Sequence, residues 1–128
     1  MKLLLDTHTF IWWDSKPSQL SPRALELCED GENTLVLSVA SVWEMQIKSQ
    51  LGKLKLNHPL TELVKTQQRR NNIQILPAKL EHVLELDKLP FHHKDPFDRL
   101  LIAQANIEDA VLLSKDSAFS AYSVQVTW

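Results

Sequence analysis

Apolar residues along the chain fall into short blocks set apart by turn signals. Lys2-Leu3-Leu4-Leu5 is an apolar run that stops on a carboxylate, Asp6. Three successive leucines predict a strand buried on both faces, as in a parallel sheet. Thr34–Ser38 and Ile73–Leu76 read as two further strands, and Val111–Leu113 and Val124–Trp128 as two more. Helical patterns lie between them. Ser21-Pro22 supplies an N-cap followed by proline at the first helical position, opening a helix through Leu25, Leu27 and Cys28 to Asp30-Gly31. Val39, Val42, Trp43, Ile47 and Leu51 recur at helical spacing, with Ser38 or Ser41 as cap and Gly52 as stop. Lys53-Leu54-Lys55-Leu56 alternates and is either a short edge strand or a basic loop. Pro59 opens a helix reaching Arg69-Arg70-Asn71-Asn72, and Leu80, Val83, Leu84 and Leu86 mark another that ends before Pro90. A polar stretch, residues 91–99, leads into a helix of Leu100, Leu101, Ile102, Ala103 and Ala105. Thr7 to Trp13 is apolar-rich and ends in the loop signal Asp14-Ser15-Lys16-Pro17; Phe10, Trp12 and Trp13 are expected to fill the core beside the first strand.

Strands alternating with helices predict an α/β fold: a central, mainly parallel sheet of about five strands flanked by helices. No repeat, low-complexity segment or linker interrupts the pattern, so residues 1–128 are expected to form one domain.

Composition narrows the class. Apolar residues make up 44% and charged residues 23%, a globular balance that excludes disorder. No apolar run approaches the roughly 18 residues of a membrane span, and no signal peptide is evident, so a soluble protein is expected. Cys28 is the one cysteine and allows no internal disulfide, which fits a reducing cytoplasm. A net charge of −2 does not advertise a nucleic-acid binder. Clustered carboxylates holding a metal would lower the total while basic residues lie elsewhere.

Four acids occupy telling places. Asp6 ends the first strand, Glu44 lies beside the apolar stripe of the helix after the second, Asp98 stands near the start of the long helix, and Asp116 follows the fourth strand by three residues. Each has a plainer reading. Asp6 caps the next helix or belongs to a site; Glu44 is a solvated helix residue or a ligand. Asp95, just before Pro96, is placed to be an N-cap. Asp98, with Leu101 and Ile102 three and four residues on, is expected to face the apolar body and to want a partner or a cation, which favours it over Asp95 for chemistry. Asp6 and Asp116 follow apolar strands on the side where a parallel sheet gathers its site. Oxygen donors of this kind suit Mg²⁺ or Mn²⁺, and converging carboxylates need such a cation.

Other chemistries find less support. His92 and His93 are adjacent and point apart, His8, His58 and His82 are scattered, and no second cysteine accompanies them, so a zinc centre is not indicated. With only Gly31 and Gly52 there is no glycine-rich phosphate loop. Ser38 and Ser114 lack a supporting His–acid pair.

The chain resembles PIN domains, and more narrowly the VapC-type ribonuclease toxins of toxin–antitoxin pairs, through LLDTHTFIWW at 4–13, LSVASVWEMQIKSQLGKL at 37–54, HHKDPFDRLLIAQA at 92–105 and LLSKDSAFSAYSV at 112–124. The resemblance implies a PIN-like three-layer sandwich and endonucleolytic RNA cleavage at Asp6, Glu44, Asp98 and Asp116. It implies that Mg²⁺ or Mn²⁺ is held chiefly by Asp6 and Asp98, with Glu44, Asp116 and Asp95 as further ligands, and with Thr7 and Ser114 supporting them. Lys48, Arg99 and Lys115 are expected phosphate contacts by position and charge. A small antitoxin protein and a homodimer are the implied partners. Two other classes stand beside this one. A metal-dependent phosphatase using Asp6 as nucleophile is disfavoured because His8 stands where a second aspartate is wanted, and a non-catalytic dimerisation module would use the acids only as caps.

Overall fold

The computed structural model describes residues 1–92 and 95–128. Five strands, β1 (Lys2–Leu5), β2 (Thr34–Ser38), β3 (Gln74–Leu76), β4 (Val111–Leu113) and β5 (Val126–Thr127), form one sheet in the order β3-β2-β1-β4-β5. Every pairing is parallel, with Leu5 opposite both Leu37 and Leu113. Among the described residues six α-helices flank the sheet: α1 (Thr7–Ser15), α2 (Pro22–Glu29), α3 (Val39–Gln50), α4 (Leu60–Asn71), α5 (Leu80–Glu85) and α6 (Pro96–Ile107). Short 3₁₀ turns occupy Pro17–Gln19, Leu86–Lys88 and Ser117–Ala121. The expected α/β sandwich is the observed architecture.

Strand alternation divides the core in two. Leu3 and Leu5 face a layer built from Phe10 of α1, Ala24 and Cys28 of α2, Met45 of α3 and Leu63 of α4. Leu4 faces Leu101, Ile102 and Ala105 of α6, with Phe119 and Tyr122 beside them. All three leucines of β1 are completely buried, as the apolar run predicts. A buried leucine is worth roughly 1.5–3 kcal/mol relative to exposure, so this strand anchors both layers. Cys28 is buried too, and burial, with the charge of Glu29 adding to it, pushes its thiol up to about 12. That is the inert, packed cysteine expected of a small apolar residue.

Several helices differ from what the pattern predicts. The segment after Asp6, to which spacing assigns no element, is helix α1; Phe10 is fully buried, while Trp12 and Trp13 are only partly so. In α3 the buried face consists of Ala40, Ser41, Glu44 and Met45, not the stripe of large residues: Trp43 is 63% exposed. Likewise Leu80 (74% exposed), Val83 and Leu84 of α5 point outward, and the buried residue of that helix is His82. Residues 53–56 form no strand; Leu54 and Leu56 pack on the first core layer from a loop. The long helix begins at Pro96, inside the polar stretch, and β5 is shorter than Val124–Trp128.

The chain runs outward from β1 through β2 to β3, then returns to the other side of β1 for β4 and β5. Connection direction therefore reverses between β1 and β4. In open α/β sheets such a reversal opens a crevice at the C-terminal strand ends. Asp6 and Ser114 are the first residues past those two ends.

Candidate active site

Asp6 leaves β1 with its backbone N–H donating to Leu113 O of β4, so it sits at the mouth of that crevice. It is 7% exposed, and its two carboxylate oxygens do different things. Oδ1 accepts from Thr9 N at 2.8 Å and caps α1; Oδ2 accepts from the hydroxyl of Ser114. The cap reading of Asp6 is thus met by Oδ1, while Oδ2 is held by Ser114. Thr9 Oγ1 donates to Leu113 O at 3.0 Å and fixes the start of α1 against β4. The Ser114 oxygen also accepts from Asp116 N at 3.0 Å, and Asp116 Oδ1 accepts from Ala118 N to cap the turn Ser117–Ala121. One hydroxyl thus ties Asp6 to the loop carrying Asp116.

The second half of the site hangs on Thr7. Its hydroxyl donates to Glu44 Oε1 at 2.7 Å, and Lys48, one turn further along α3, donates to Glu44 Oε2 at 2.7 Å. Glu44 is 5% exposed, a buried carboxylate with both oxygens engaged, as burial of a charge requires. Lys48 is held above its ordinary pKa first by that hydrogen bond, against a smaller desolvation, and then by the negative charges of Glu44, Asp95 and Asp98. The negative charges of Glu44, Asp95 and Asp98 thus all bear on one ammonium. Trp43 of α3 meets Phe97 of α6 edge to face at 5.3 Å, which brings the helix positions carrying Glu44 and Asp98 side by side. Asp95 Oδ1 accepts from Phe97 N at 2.9 Å and from Asp98 N at 3.3 Å, which is the cap expected of it, and Asp98 stands three residues into α6.

The parallel topology places these groups on one edge. Strand C-termini and the N-termini of α1, α3 and α6 all lie there, so amide dipoles oppose the crowded carboxylates. Asp6, Glu44, Asp98 and Asp116 offer hard oxygen donors, with the hydroxyls of Thr7 and Ser114 holding Glu44 and Asp6 in place. Such a donor set fits Mg²⁺ or Mn²⁺ and does not fit a soft metal. Lys115, exposed, lines a cavity of about 180 Å³ with Asp6, His8, Trp12 and Asp116.

Two expectations look different in the folded chain. Arg99 is 7% exposed; its guanidinium donates to Pro90 O at 2.8 Å and Leu86 O at 3.3 Å, with Leu89 O and Tyr122 Oη at 3.5 Å, and it stacks over Phe91. Those donors are turned into the protein, so the geometry speaks against Arg99 as a phosphate contact. Among the described residues, the trio of possible metal ligands within 4.8 Å of one another is Glu81, His82 and Glu108, not the four acids. Glu108 follows α6 and pairs with Lys2 of β1, so this trio belongs to the opposite sheet edge. His82 Nδ1 accepts from Lys79 N at 3.0 Å, which puts the proton of the neutral ring on Nε2, facing Glu108 at 2.9 Å. That is a hydrogen-bonded buried histidine, which draws the Glu108 carboxyl below its ordinary value, rather than a free ligand nitrogen. His93, half of the adjacent histidine pair, lies outside the described residues.

Apolar patterning does not reveal His8 and Trp12 as neighbours of the acids. The available signal was their four-residue spacing directly after Asp6, which puts both on one face if that segment is helical.

A sequence-family model for the PIN domain matches residues 3–125, nearly the whole chain. Solved structures of the same fold include VapBC2 from Rickettsia felis bound to a DNA fragment from its promoter, at 18% identity and a TM-score of 0.74 over 99% of this chain and 98% of that one. VapBC-1 from nontypeable Haemophilus influenzae is similar at 18% identity and a TM-score of 0.63, covering 99% and 97% of the two chains. FitAcB from Neisseria gonorrhoeae is similar at 18% identity and 0.62, covering 98% and 96%. No curated protein sequence matches significantly. PIN domains are generally nucleases that use divalent metals, in keeping with an edge lined by oxygen donors. With the family pattern matched from the first strand almost to the last, the chain belongs to the PIN domain family.

Proposed function

We infer that the protein is a metal-dependent endoribonuclease, the toxin of a type II toxin–antitoxin pair, and that residues 1–128 act as one nuclease unit. The observation that carries this reading is the pair of buried carboxylates, Asp6 and Glu44, joined through adjacent Thr7 at the crevice of the sheet. Glu44 has the Lys48 ammonium beside it, whereas Asp6 is held by an amide and a hydroxyl, neutral donors that leave its charge to be offset by a bound cation.

Asp6 and Asp98 would chiefly hold the ion, with Glu44, Asp116 and Asp95 as further oxygen donors. A Mg²⁺ or Mn²⁺ ion bound there supplies a Lewis acid that lowers the pKa of a water and offsets charge on the phosphate oxygens. The chain's own groups do the rest. Ser114 orients Asp6 and the Asp116 loop, and Thr7 fixes one oxygen of Glu44. Lys48 keeps the acid cluster compensated, and Lys48 and Lys115 give a basic rim for the RNA backbone despite the overall charge of −2. Similar solved structures are toxin–antitoxin complexes. By that likeness the partners are a small antitoxin that covers the acidic cleft and a second copy of the chain, acting in the cytoplasm. Among the described residues no helix is long and apolar enough to cross a membrane.

Purified protein is expected to cut single-stranded RNA with Mg²⁺ or Mn²⁺ and not with chelator. Asp6→Asn and Glu44→Gln should each remove cleavage by at least about 100-fold while melting close to wild type. Equal cleavage by wild type and both variants would overturn the assignment.

A further inference from the structure

Beside the acids the edge carries an aromatic surface that metal chemistry does not use. His8 and Trp12, one turn apart on α1, have ring centroids 5.8 Å apart, and Trp12 meets Trp128 at 6.0 Å. His8 is exposed. Trp12 is partly buried: it packs against the first core layer and also lines the same small cavity as Asp6, Asp116 and Lys115. A tryptophan serving the core alone would not need to share a cavity with two carboxylates and a lysine. An aromatic face next to a phosphate-binding cation and the reacting acids matches the two parts of a nucleotide: a flat base and its charged backbone. Stacking on such a face is tolerant of base identity and separates single strands, whose bases are free, from duplexes, whose bases are not.

We propose that Trp12, with His8 extending its face, stacks a nucleobase next to the scissile phosphodiester and holds the strand in register with Asp6 and Asp116. Lys115 takes the phosphate of that same nucleotide. This rests on the nuclease reading above and adds to it a positioning contact outside the carboxylates.

The test uses a single-stranded RNA oligonucleotide with one mapped cut and two twins, each lacking the base on one side of that cut. Wild type should show a KM about tenfold higher for one twin, with kcat changed far less. Trp12→Ala should raise KM for intact RNA by a similar factor and show no further loss on that twin, because the stacking partner is already gone. Trp12→Phe should recover most of the affinity, and exposed His8→Ala should lose a few-fold. Fluorescence anisotropy in chelator should give the same ranking for binding alone. Wild-type KM for Trp12→Ala, or losses from the missing base and from Trp12→Ala that multiply independently, would overturn the stacking contact while the nuclease stands. Should Trp12→Ala fail to fold, the twins decide alone: both cut by wild type with the intact KM would overturn the contact equally. No cutting of any RNA by wild type would remove the nuclease reading and the stacking contact together.

Discussion

Arg99 offers a sharp test of whether a cation near the acids serves RNA or the fold. Replacing it with methionine keeps a long apolar stem but removes every donor. Two of its contacts are firm, to Pro90 O at 2.8 Å and Leu86 O at 3.3 Å, and two at 3.5 Å are weak. A hydrogen bond to a charged group contributes about 1.5–3 kcal/mol, less where water can reach the orphaned carbonyl. Stacking over the exposed ring of Phe91, at 4.3 Å, adds about 0.5–1 kcal/mol. Arg99→Met should therefore cost roughly 2–4 kcal/mol. For 128 residues the unfolding entropy is about 0.27 kcal/mol per kelvin, so Tm should fall by roughly 7–15 °C. Arg99→Lys should recover little, because one ammonium cannot span three carbonyls held by a planar fork. Thermal denaturation by circular dichroism, paired with RNA cleavage well below the lower Tm, separates the two roles. A Tm within about 2 °C of wild type, with RNA affinity lost in Met and kept in Lys, would show that Arg99 reaches phosphate after all.

Two other outcomes follow from the same structure. Asp98→Asn should weaken Mg²⁺ or Mn²⁺ binding, measured by calorimetry, by at least about tenfold, while Asp95→Asn, which keeps the cap to Phe97 N, should change it little; the reverse order would make Asp95 the ligand. Glu108 is held below its ordinary 4.5 mainly by the hydrogen bond from His82, with Lys79 and Lys2 also favouring the charged form. Its contribution is thus complete above pH 4.5 and lost as pH falls below that toward the lowered folded value. Glu108→Gln should cost about 1–2 kcal/mol near neutral pH, and urea titrations should show the gap closing in acid; a gap that widens in acid would refute the sign.

The sheet was legible because each strand is a compact apolar run with turn signals around it. Leu3-Leu4-Leu5 admits hardly any other reading, and both core layers confirm it. Helix faces were harder. Spacing locates an apolar stripe but does not say which stripe meets the sheet, and in α3 the sheet side took the small Ala40 and Ser41 and the flexible Met45 while Trp43 turned outward. The same holds for α5, where buried His82 outranks Leu80, Val83 and Leu84 because Lys79 N and Glu108 give it partners. Helix α1 is hidden in the sequence since Thr-His-Thr-Phe-Ile-Trp-Trp is poor in strong helix formers; what starts it is the cap from Asp6 to Thr9 N.

That cap bears on how an acidic site should be read from sequence at all. Capping and chemistry look like rivals for Asp6 and for the DPFD acids, one explanation per carboxylate. At the C-terminal edge of a parallel sheet the two roles do not exclude each other. Strand ends and helix N-termini share one edge, so an acid that caps a helix next to the β1/β4 switch point also lies beside the crevice. Asp6 caps α1, Asp95 caps α6 and Asp116 caps a 3₁₀ turn, and each leaves an oxygen beyond the one engaged in its cap. Orphan amides and the helix dipole then reduce the repulsion between neighbouring carboxylates before any ion arrives. Glu44 is the exception that supports the rule. It lies in mid-helix, beyond the reach of an N-terminal field, and the chain supplies a hydroxyl from Thr7 and an ammonium from Lys48 in its place. Asp6 thus draws on a backbone amide and the Ser114 hydroxyl, whereas Glu44 depends on two other side chains, and Lys48→Met should disturb Glu44 far more than Asp6.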